Sequence, residues 1–102
     1  MSQIVKEEGK VKITPGIDII ASTCADLRQE LIGIINDGET KIVIDLQDTE
    51  MIDSSGLGLL ISTKNNLMDA GGGEVEIVNI SEDIMQLFLI MRLENHFTLH
   101  KQ

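Results

Sequence analysis

The sequence contains no tryptophan and no tyrosine, and only two phenylalanines. Any core is therefore aliphatic, and a surface that stacks on bases or sugars is disfavoured. Basic residues are also scarce: eight Lys and Arg against seventeen Asp and Glu give a formal net charge of -9. A chain of that sign is repelled by nucleic acid and by anionic membrane, and no local Lys/Arg cluster offers an exception. A basic protein surface stays compatible with it, although solubility alone is the commoner reason for such a charge. The single cysteine, Cys24, leaves no partner for an internal disulfide. It falls on the apolar stripe of an expected helix, where a thiol is buried and inert. No apolar run approaches the roughly 18 residues of a membrane span. The polar, mixed start Met1-Ser2-Gln3-Ile4-Val5-Lys6-Glu7-Glu8 has no signal-peptide pattern. The expectation is a cytoplasmic protein that engages neither nucleic acid nor membrane.

Its 102 residues suit one domain, 1–102, and a 42% apolar share supplies a real core. Ile4-Val5-Lys6 and Val11-Lys12-Ile13, around Glu8-Gly9, read as a hairpin, which Pro15-Gly16 closes. Gly16-Ile17-Asp18 leads into a helix expected over 21–36, capped by Ser22 or Thr23, with Cys24, Leu27, Leu31, Ile34 and Ile35 on one stripe and Gly38 as its stop. Lys41 to Leu46 is a nearly all-aliphatic strand, expected to be covered on both faces, with Asp45 at a loop edge. A second helix is expected over 57–70, with Leu57, Leu60, Ile61, Lys64, Leu67 and Met68 inward, ended by Gly71-Gly72-Gly73. Glu74 to Val78 is a further strand. Ser81 caps a third helix with Ile84, Leu87, Phe88 and Met91 inward, and Phe97-Thr98-Leu99 is a last short strand. Met85, Leu89 and Ile90 widen that helix's apolar arc, so it is either sandwiched in the core or carries an exposed patch for a partner or second copy. The order β-β-α-β-α-β-α-β implies a single α/β domain: a small, mixed but mostly parallel sheet with an N-terminal hairpin and helices packed on it.

The chain is organised around Asp53-Ser54-Ser55-Gly56-Leu57-Gly58-Leu59-Leu60, where a loop becomes a helix. A helix start carries free N–H groups and partial positive charge, and so favours anions. Enzyme readings fail on pattern. Ser54 and Ser55 are not set in Gly-x-Ser-x-Gly, and the only histidines, His96 and His100, lie near the C-terminus, away from a serine that needs a base. Gly56-Leu57-Gly58 lacks the third glycine of a dinucleotide fingerprint, and no P-loop occurs. Asp45, Asp48 and Asp53 form no metal pattern; spaced acids in an acidic chain are solvated. Simple capping by Ser54 and backbone geometry at Gly56 are ordinary explanations. Gly58 in a first helical turn is not, because alanine there is better by about 1 kcal/mol. Something approaches that backbone closely.

Ile52-Asp53-Ser54-Ser55-Gly56-Leu57-Gly58-Leu59-Leu60, preceded by Ile42-Val43-Ile44-Asp45-Leu46, resembles the signature of the anti-sigma factor antagonists, a group of STAS domains (sulfate transporter and anti-sigma factor antagonist). The element order matches that family along nearly the whole chain, and Gly16-Ile17-Asp18 resembles its Gly-Glu-Leu-Asp approach to the first helix, one residue short. The resemblance implies a non-enzymatic partner-switching module without cofactor or metal, a monomer or weak dimer. In such proteins the first serine after the aspartate, here Ser54, is phosphorylated by an ATP-dependent serine kinase that is also the anti-sigma factor. The unphosphorylated domain binds that kinase and so releases a sigma factor; a PP2C-type phosphatase resets the modified form. Asp18, Asp53, Ser55, Gly56, Leu57 and Gly58 are the expected partner-facing residues. The alternative is a STAS subunit that is never phosphorylated and serves another regulatory, chemosensory or lipid-transport complex, with a nucleotide as a conceivable ligand. The chain ends at Gln102, just after the last strand, where many relatives add a helix, and it has Pro15 where the family usually has no proline.

Overall fold

The computed structural model describes residues 2–102. The elements are β1 (Gln3–Glu7), β2 (Lys10–Thr14), α1 (Cys24–Asn36), β3 (Lys41–Asp45), α2 (Ser54–Asp69), β4 (Glu74–Ile80), α3 (Glu82–Ile90), a short helical turn Leu93–Asn95, and β5 (Thr98–Lys101). They form one α/β domain whose five-stranded sheet has the order β1-β2-β3-β4-β5. β1 and β2 are an antiparallel hairpin; every later neighbour is parallel. Strands added one after another in the same direction through right-handed crossovers place all three helices on one face of the sheet.

The strand alternation shows which face that is. Val11, Ile13, Ile42, Ile44, Val75 and Ile77 point to the helices and are at most 4% exposed. They meet Leu27, Leu31, Ile34, Leu59, Leu60, Leu67, Ile84 and Phe88 from the helices in a single aliphatic core. The opposite face carries Lys10, Lys12, Lys41, Glu74 and Glu76 in register with the apolar residues between them. β3 is thus buried on both faces as expected, but among the described residues no helix covers the second. Val43 is 5% exposed because it lies in a row between Lys12 and Glu76, whose stems shield it.

Asp45 departs from the expectation of a loop-edge acid: it is the last residue of β3 and 1% exposed. Its Oδ1 accepts hydrogen bonds from Gln47 N (2.9 Å) and Asn79 Nδ2 (2.9 Å), and Lys12 Nζ lies 3.3 Å from Oδ2. Burial alone would raise its pKa. The Asn79, Gln47 and Lys12 contacts outweigh that and hold the carboxyl below its ordinary value.

Several boundaries shift for local reasons. α1 starts at Cys24 rather than 21, because residues 20–23 form a turn in which Cys24 N bonds Ile20 O. Thr23 is the N-cap residue but makes no cap bond; its hydroxyl accepts from Ile20 N and donates to Asp18 O. α2 starts at Ser54, three residues early, because Asp53 caps it. Its buried face is Gly56, Leu57, Leu59, Leu60, Thr63 and Leu67, so the expected stripe is rotated: Lys64 is half-buried and Met68 52% exposed. Thr63 is tolerated inside because its hydroxyl donates to Leu59 O at 2.8 Å. β4 continues to Ile80, and β5 begins after Phe97, which is a buried anchor. α3 buries Ile84 and Phe88 under the expected Ser81 cap, whereas Leu89, Ile90 and Met91 are exposed, so the helix is not sandwiched. Cys24 is buried, and burial, reinforced by the negative Asp53, pushes its thiol pKa up and keeps it unreactive.

Candidate functional site

Two segments build the site. The lead-in to α1 and the loop before α2 run side by side, joined by a parallel bridge between Ile19 and Ile52. Ile19 N donates to Met51 O at 3.1 Å and Asp53 N donates to Ile19 O at 3.3 Å. Side chains then lock the pair. Asp18 Oδ1 accepts from Glu50 N (2.9 Å) and Met51 N (3.1 Å), and Thr49 Oγ1 donates to Ile17 O at 2.8 Å. Asp53 Oδ1 accepts from Gly56 N at 2.9 Å and its Oδ2 accepts from Ala21 N at 3.0 Å. That one carboxylate caps α2 and ties it to the turn that precedes α1. The Gly56 N–H is the main cause of its lowered pKa, with Ala21 and Ser55 N–H adding to it and partial desolvation opposing. Asp53 is therefore an anion at neutral pH, a charge that the positive end of the α2 dipole favours.

Ser54 is the first residue of α2 and is exposed, as is Ser55. Because Asp53 caps the helix, the Ser54 hydroxyl is not committed to capping. The remaining expected residues separate into two groups. Gly58 is exposed, and among the described residues nothing beyond its own helix backbone lies within 4 Å of where its Cβ would be. Gly56 and Leu57, by contrast, are buried, so neither offers the exposed surface expected of it. Leu57 belongs to the core. Gly56 is where the backbone is closely approached: a Cβ would sit 2.1 Å from Ile19 O and 2.7 Å from Ile52 Cγ2. Asp18 and Asp53 point their carboxylates at backbone N–H groups of the chain itself and hold the two loops in shape.

Sequence reasoning missed two residues of this surface. Ile17 and Met51, one from each locked loop, are 46% and 52% exposed. They flank the Asp18 clip, a pair of large apolar side chains on an otherwise polar rim. The signal was present in Ile17-Asp18 and Glu50-Met51-Ile52, where one apolar residue in each loop lacks a helical or strand stripe to join. Beside them opens a groove of about 530 Å³, with Pro15, Ile19 and Leu27 among its walls and Asp18, Asp26 and Glu30 giving it negative charge. His96 and His100 are distant from this turn in the fold: His96 follows the helical turn, and His100 in β5 lies 2.6 Å from Glu76.

A five-stranded sheet with an N-terminal hairpin, three helices on one face, and a capped Asp-Ser-Ser-Gly turn at the second helix make a small mixed α/β module with one serine-bearing helix start. The STAS domain profile matches residues 2–102, and the chain belongs to the STAS family. Within it the chain belongs with the anti-sigma factor antagonists, which are regulatory proteins rather than enzymes: it is 30% identical, over 86 residues, to the anti-sigma-B factor antagonist of Bacillus subtilis, covering 84% of this chain and 75% of that protein. Among solved structures, a protein from Thermotoga maritima described as a candidate anti-sigma factor antagonist superposes with a TM-score of 0.91 at 19% identity, over 100% of this chain and 87% of that one. The anti-sigma factor antagonist SpoIIAA of Bacillus gives 0.75 in its unphosphorylated form, at 18% identity over 100% and 88% of the two chains. Its phosphorylated form gives 0.73, at 20% identity over 97% and 90%.

Proposed function

We propose that this chain is a phosphorylatable partner switch of the cytoplasm. Unphosphorylated, it binds a serine-kinase anti-sigma factor and thereby releases a sigma factor. Phosphorylation of Ser54 by that kinase ends the complex, and a PP2C-type phosphatase restores it. The observation that carries the reading is the exposed Ser54 at the first position of α2, with its hydroxyl left free because Asp53 provides the cap.

The physics of the switch follows from that placement. A phosphate on Ser54 adds about -1.5 to -2 charges. The N-terminus of α2 tolerates them within the domain through its dipole and outermost N–H groups. The similarity of this chain to both the phosphorylated and the unphosphorylated SpoIIAA, at TM-scores of 0.73 and 0.75, supports a modification that leaves the fold alone. The cost falls on the complex. A dianion beside Ile17, Met51 and the bare backbone of Gly58, pressed against a partner, loses its hydration. Leaving it unpaired there costs several kcal/mol, against about 1.4 kcal/mol for each tenfold of affinity. The acidic groove beside Asp18 suits a partner surface with basic side chains.

Incubation with the cognate kinase and ATP, followed by intact mass, tests the reading. One phosphate is expected on wild type and on Ser55→Ala, and none on Ser54→Ala. Ser54→Asp is expected to melt with wild type and to bind the kinase at least about tenfold more weakly. An unmodified wild-type protein that still binds its partner would instead support the constitutive STAS subunit.

A further inference from the structure

The helix layer leaves the first strand of the sheet uncovered. Ile4 of β1 stands opposite fully buried Ile13, hence on the helix-bearing face, yet it is 45% exposed, and β1 is exposed along its whole length. Between β1 and the outer flank of α1 runs the groove of about 530 Å³, where Ser2 Oγ donates to Glu30 Oε1 at 2.7 Å. Pro15, Ile17, Ile19 and Leu27 give it apolar walls, and Asp18, Asp26 and Glu30 give it its charge. Among the described residues none of these three carboxylates is in an ion pair. Asp18 and Glu30 accept only from neutral groups, the Glu50 and Met51 N–H and the Ser2 hydroxyl. The one basic side chain of α1, Arg28, turns to the opposite flank and donates to Ser62 Oγ on α2 at 3.3 Å. Lys6 of β1 is taken up by Glu39. The negative charge of the groove is thus left uncompensated by the chain's own cations.

Gly33 is a second, independent anomaly. It lies inside α1 and is exposed, and nothing beyond its own helix backbone lies within 4 Å of where its Cβ would be. Alanine is the better helix former at such a position. Asp26, Gln29, Glu30 and Gly33 are spaced i, i+3, i+4 and i+7, so they share one flank of the helix. A bare stretch of backbone beside two unpaired carboxylates fits a neighbour that packs closely there.

We propose that this trough is the docking site for a basic amphipathic helix of a partner protein, laid beside α1 as a fourth helix of the layer. Its apolar stripe covers Ile4, Ile17 and Leu27, and Lys or Arg on its flank meets Asp26 and Glu30. A small side chain lies against Gly33, where the two axes come to the short end of the about 8–10 Å range of packed helices. The flank from Asp26 to Gly33 is about 10 Å long, so two to three turns fill it. Charge selects this occupant. Nucleic acid and anionic membrane are repelled by an acidic wall. A second copy of this chain has no helix to offer, since α1 carries one basic residue, Arg28, α2 carries one, Lys64, and α3 none. The trough opens at Ile17 and Asp18 onto the rim that holds Met51, so a partner seated on that rim reaches it. The inference rests on the reading above only in taking that partner to be the one that reads Ser54; the trough itself is tested without it.

The probe is an end-capped synthetic helix of about 15 residues, with Leu at i, i+4, i+7 and i+11, three Arg along one side of that stripe, and Ala elsewhere. A scrambled peptide of the same composition keeps the charge and loses the face. Each is titrated into the isotope-labelled full chain at ~0.15 M salt, where long-range attraction is screened beyond about 8 Å. The amphipathic peptide is expected to bind with a dissociation constant on the order of 100 μM. It is expected to shift the backbone amides of residues 2–6, 15–19 and 22–33 and to gain helical circular dichroism on binding, with the scrambled peptide at least about fivefold weaker. Asp26→Asn with Glu30→Gln, and separately Gly33→Gln, are each expected to weaken binding about tenfold. Gly33→Gln is also expected to raise Tm, so its loss of binding is not a loss of fold. Asp69→Asn with Glu94→Gln removes the same charge elsewhere and is expected to leave the affinity within about twofold, which separates the trough from attraction by net charge. Absence of binding at about 1 mM peptide, shifts centred on another surface, equal binding of the scrambled peptide, or trough variants that bind like wild type would each overturn the proposal. A trough that takes the helix in a chain that the kinase and ATP leave unmodified upholds this inference and refutes the reading of Ser54.

Discussion

Gly56→Ala places a methyl group at the point where α2 meets the lead-in loop, 2.1 Å from Ile19 O and 2.7 Å from Ile52 Cγ2, where ordinary contacts begin near 3.4 Å. Neither neighbour yields cheaply. Ile19 is fully buried and its carbonyl accepts the Asp53 N–H; Ile52 is 5% exposed and bridged to Ile19. The helix must withdraw by about an ångström, which loosens the Asp53 cap. Overpacking of this kind costs about 1–3 kcal/mol, and a fixed backbone oxygen puts this site at the upper end. The gain in helix propensity returns about 1 kcal/mol, leaving a net loss of about 2 kcal/mol. For a domain of this size that lowers Tm by about 8–16 °C. Gly58→Ala is the control, two residues along the same helix with nothing within 4 Å. It is expected to gain about 0.5–1 kcal/mol. Thermal and urea unfolding followed by far-UV circular dichroism separate the two. If Gly56→Ala melts at or above wild type, or the two variants rank in the opposite order, the close-approach argument is wrong. Because no internal contact accounts for Gly58, its substitution is also expected to weaken kinase binding while stabilising the domain.

Four further outcomes test the site and its frame. Ile17→Ser and Met51→Ser each remove a half-exposed apolar contact worth about 1 kcal/mol when covered, and calorimetry with the kinase is expected to show roughly five- to tenfold weaker binding with Tm unchanged. Asp18→Ala leaves the Glu50 and Met51 N–H groups without their acceptor; water reaches this rim, so a loss of about 1 kcal/mol in urea unfolding is expected, with faster amide exchange in residues 17–20 and 49–53. Asp45→Asn breaks the ion pair with Lys12 inside the sheet face and is expected to cost about 1–3 kcal/mol at pH 7. Asp45 and Asp53 both have folded-state pKa values below the ordinary carboxylate value. Their stabilisation is therefore complete above about pH 4 and is lost as pH falls through the lowered values; urea midpoints are expected to drop below pH 4, and Asp45→Asn is expected to shallow that drop.

The element order and the focal motif were legible in local patterns alone. Alternation and helical spacing are properties of neighbouring residues, so the hairpin, the Ser81 cap and the Gly38 stop could be read directly. Three features were not, and each depends on groups distant in sequence. The start of α2 hinged on which residue capped it, and Asp53 took that role because its other oxygen reaches Ala21, 32 residues away. The buried arc of α2 was rotated because Thr63 satisfies its own hydroxyl within the helix and so enters the core. Asp45 looked like a loop acid because Lys12 and Asn79, which make its burial tolerable, are 33 and 34 positions off.

The chain's own order of residues determined an aliphatic α/β domain with one serine-bearing helix start, since composition and periodicity are written along the sequence. Only the tertiary structure decided which glycine is packed and which is bare, that Asp18 and Asp53 serve the frame while Ile17 and Met51 line the rim, and that one sheet face stays free of helices. The reason is physical: a contact between segments has no local signature until the sheet sets them side by side.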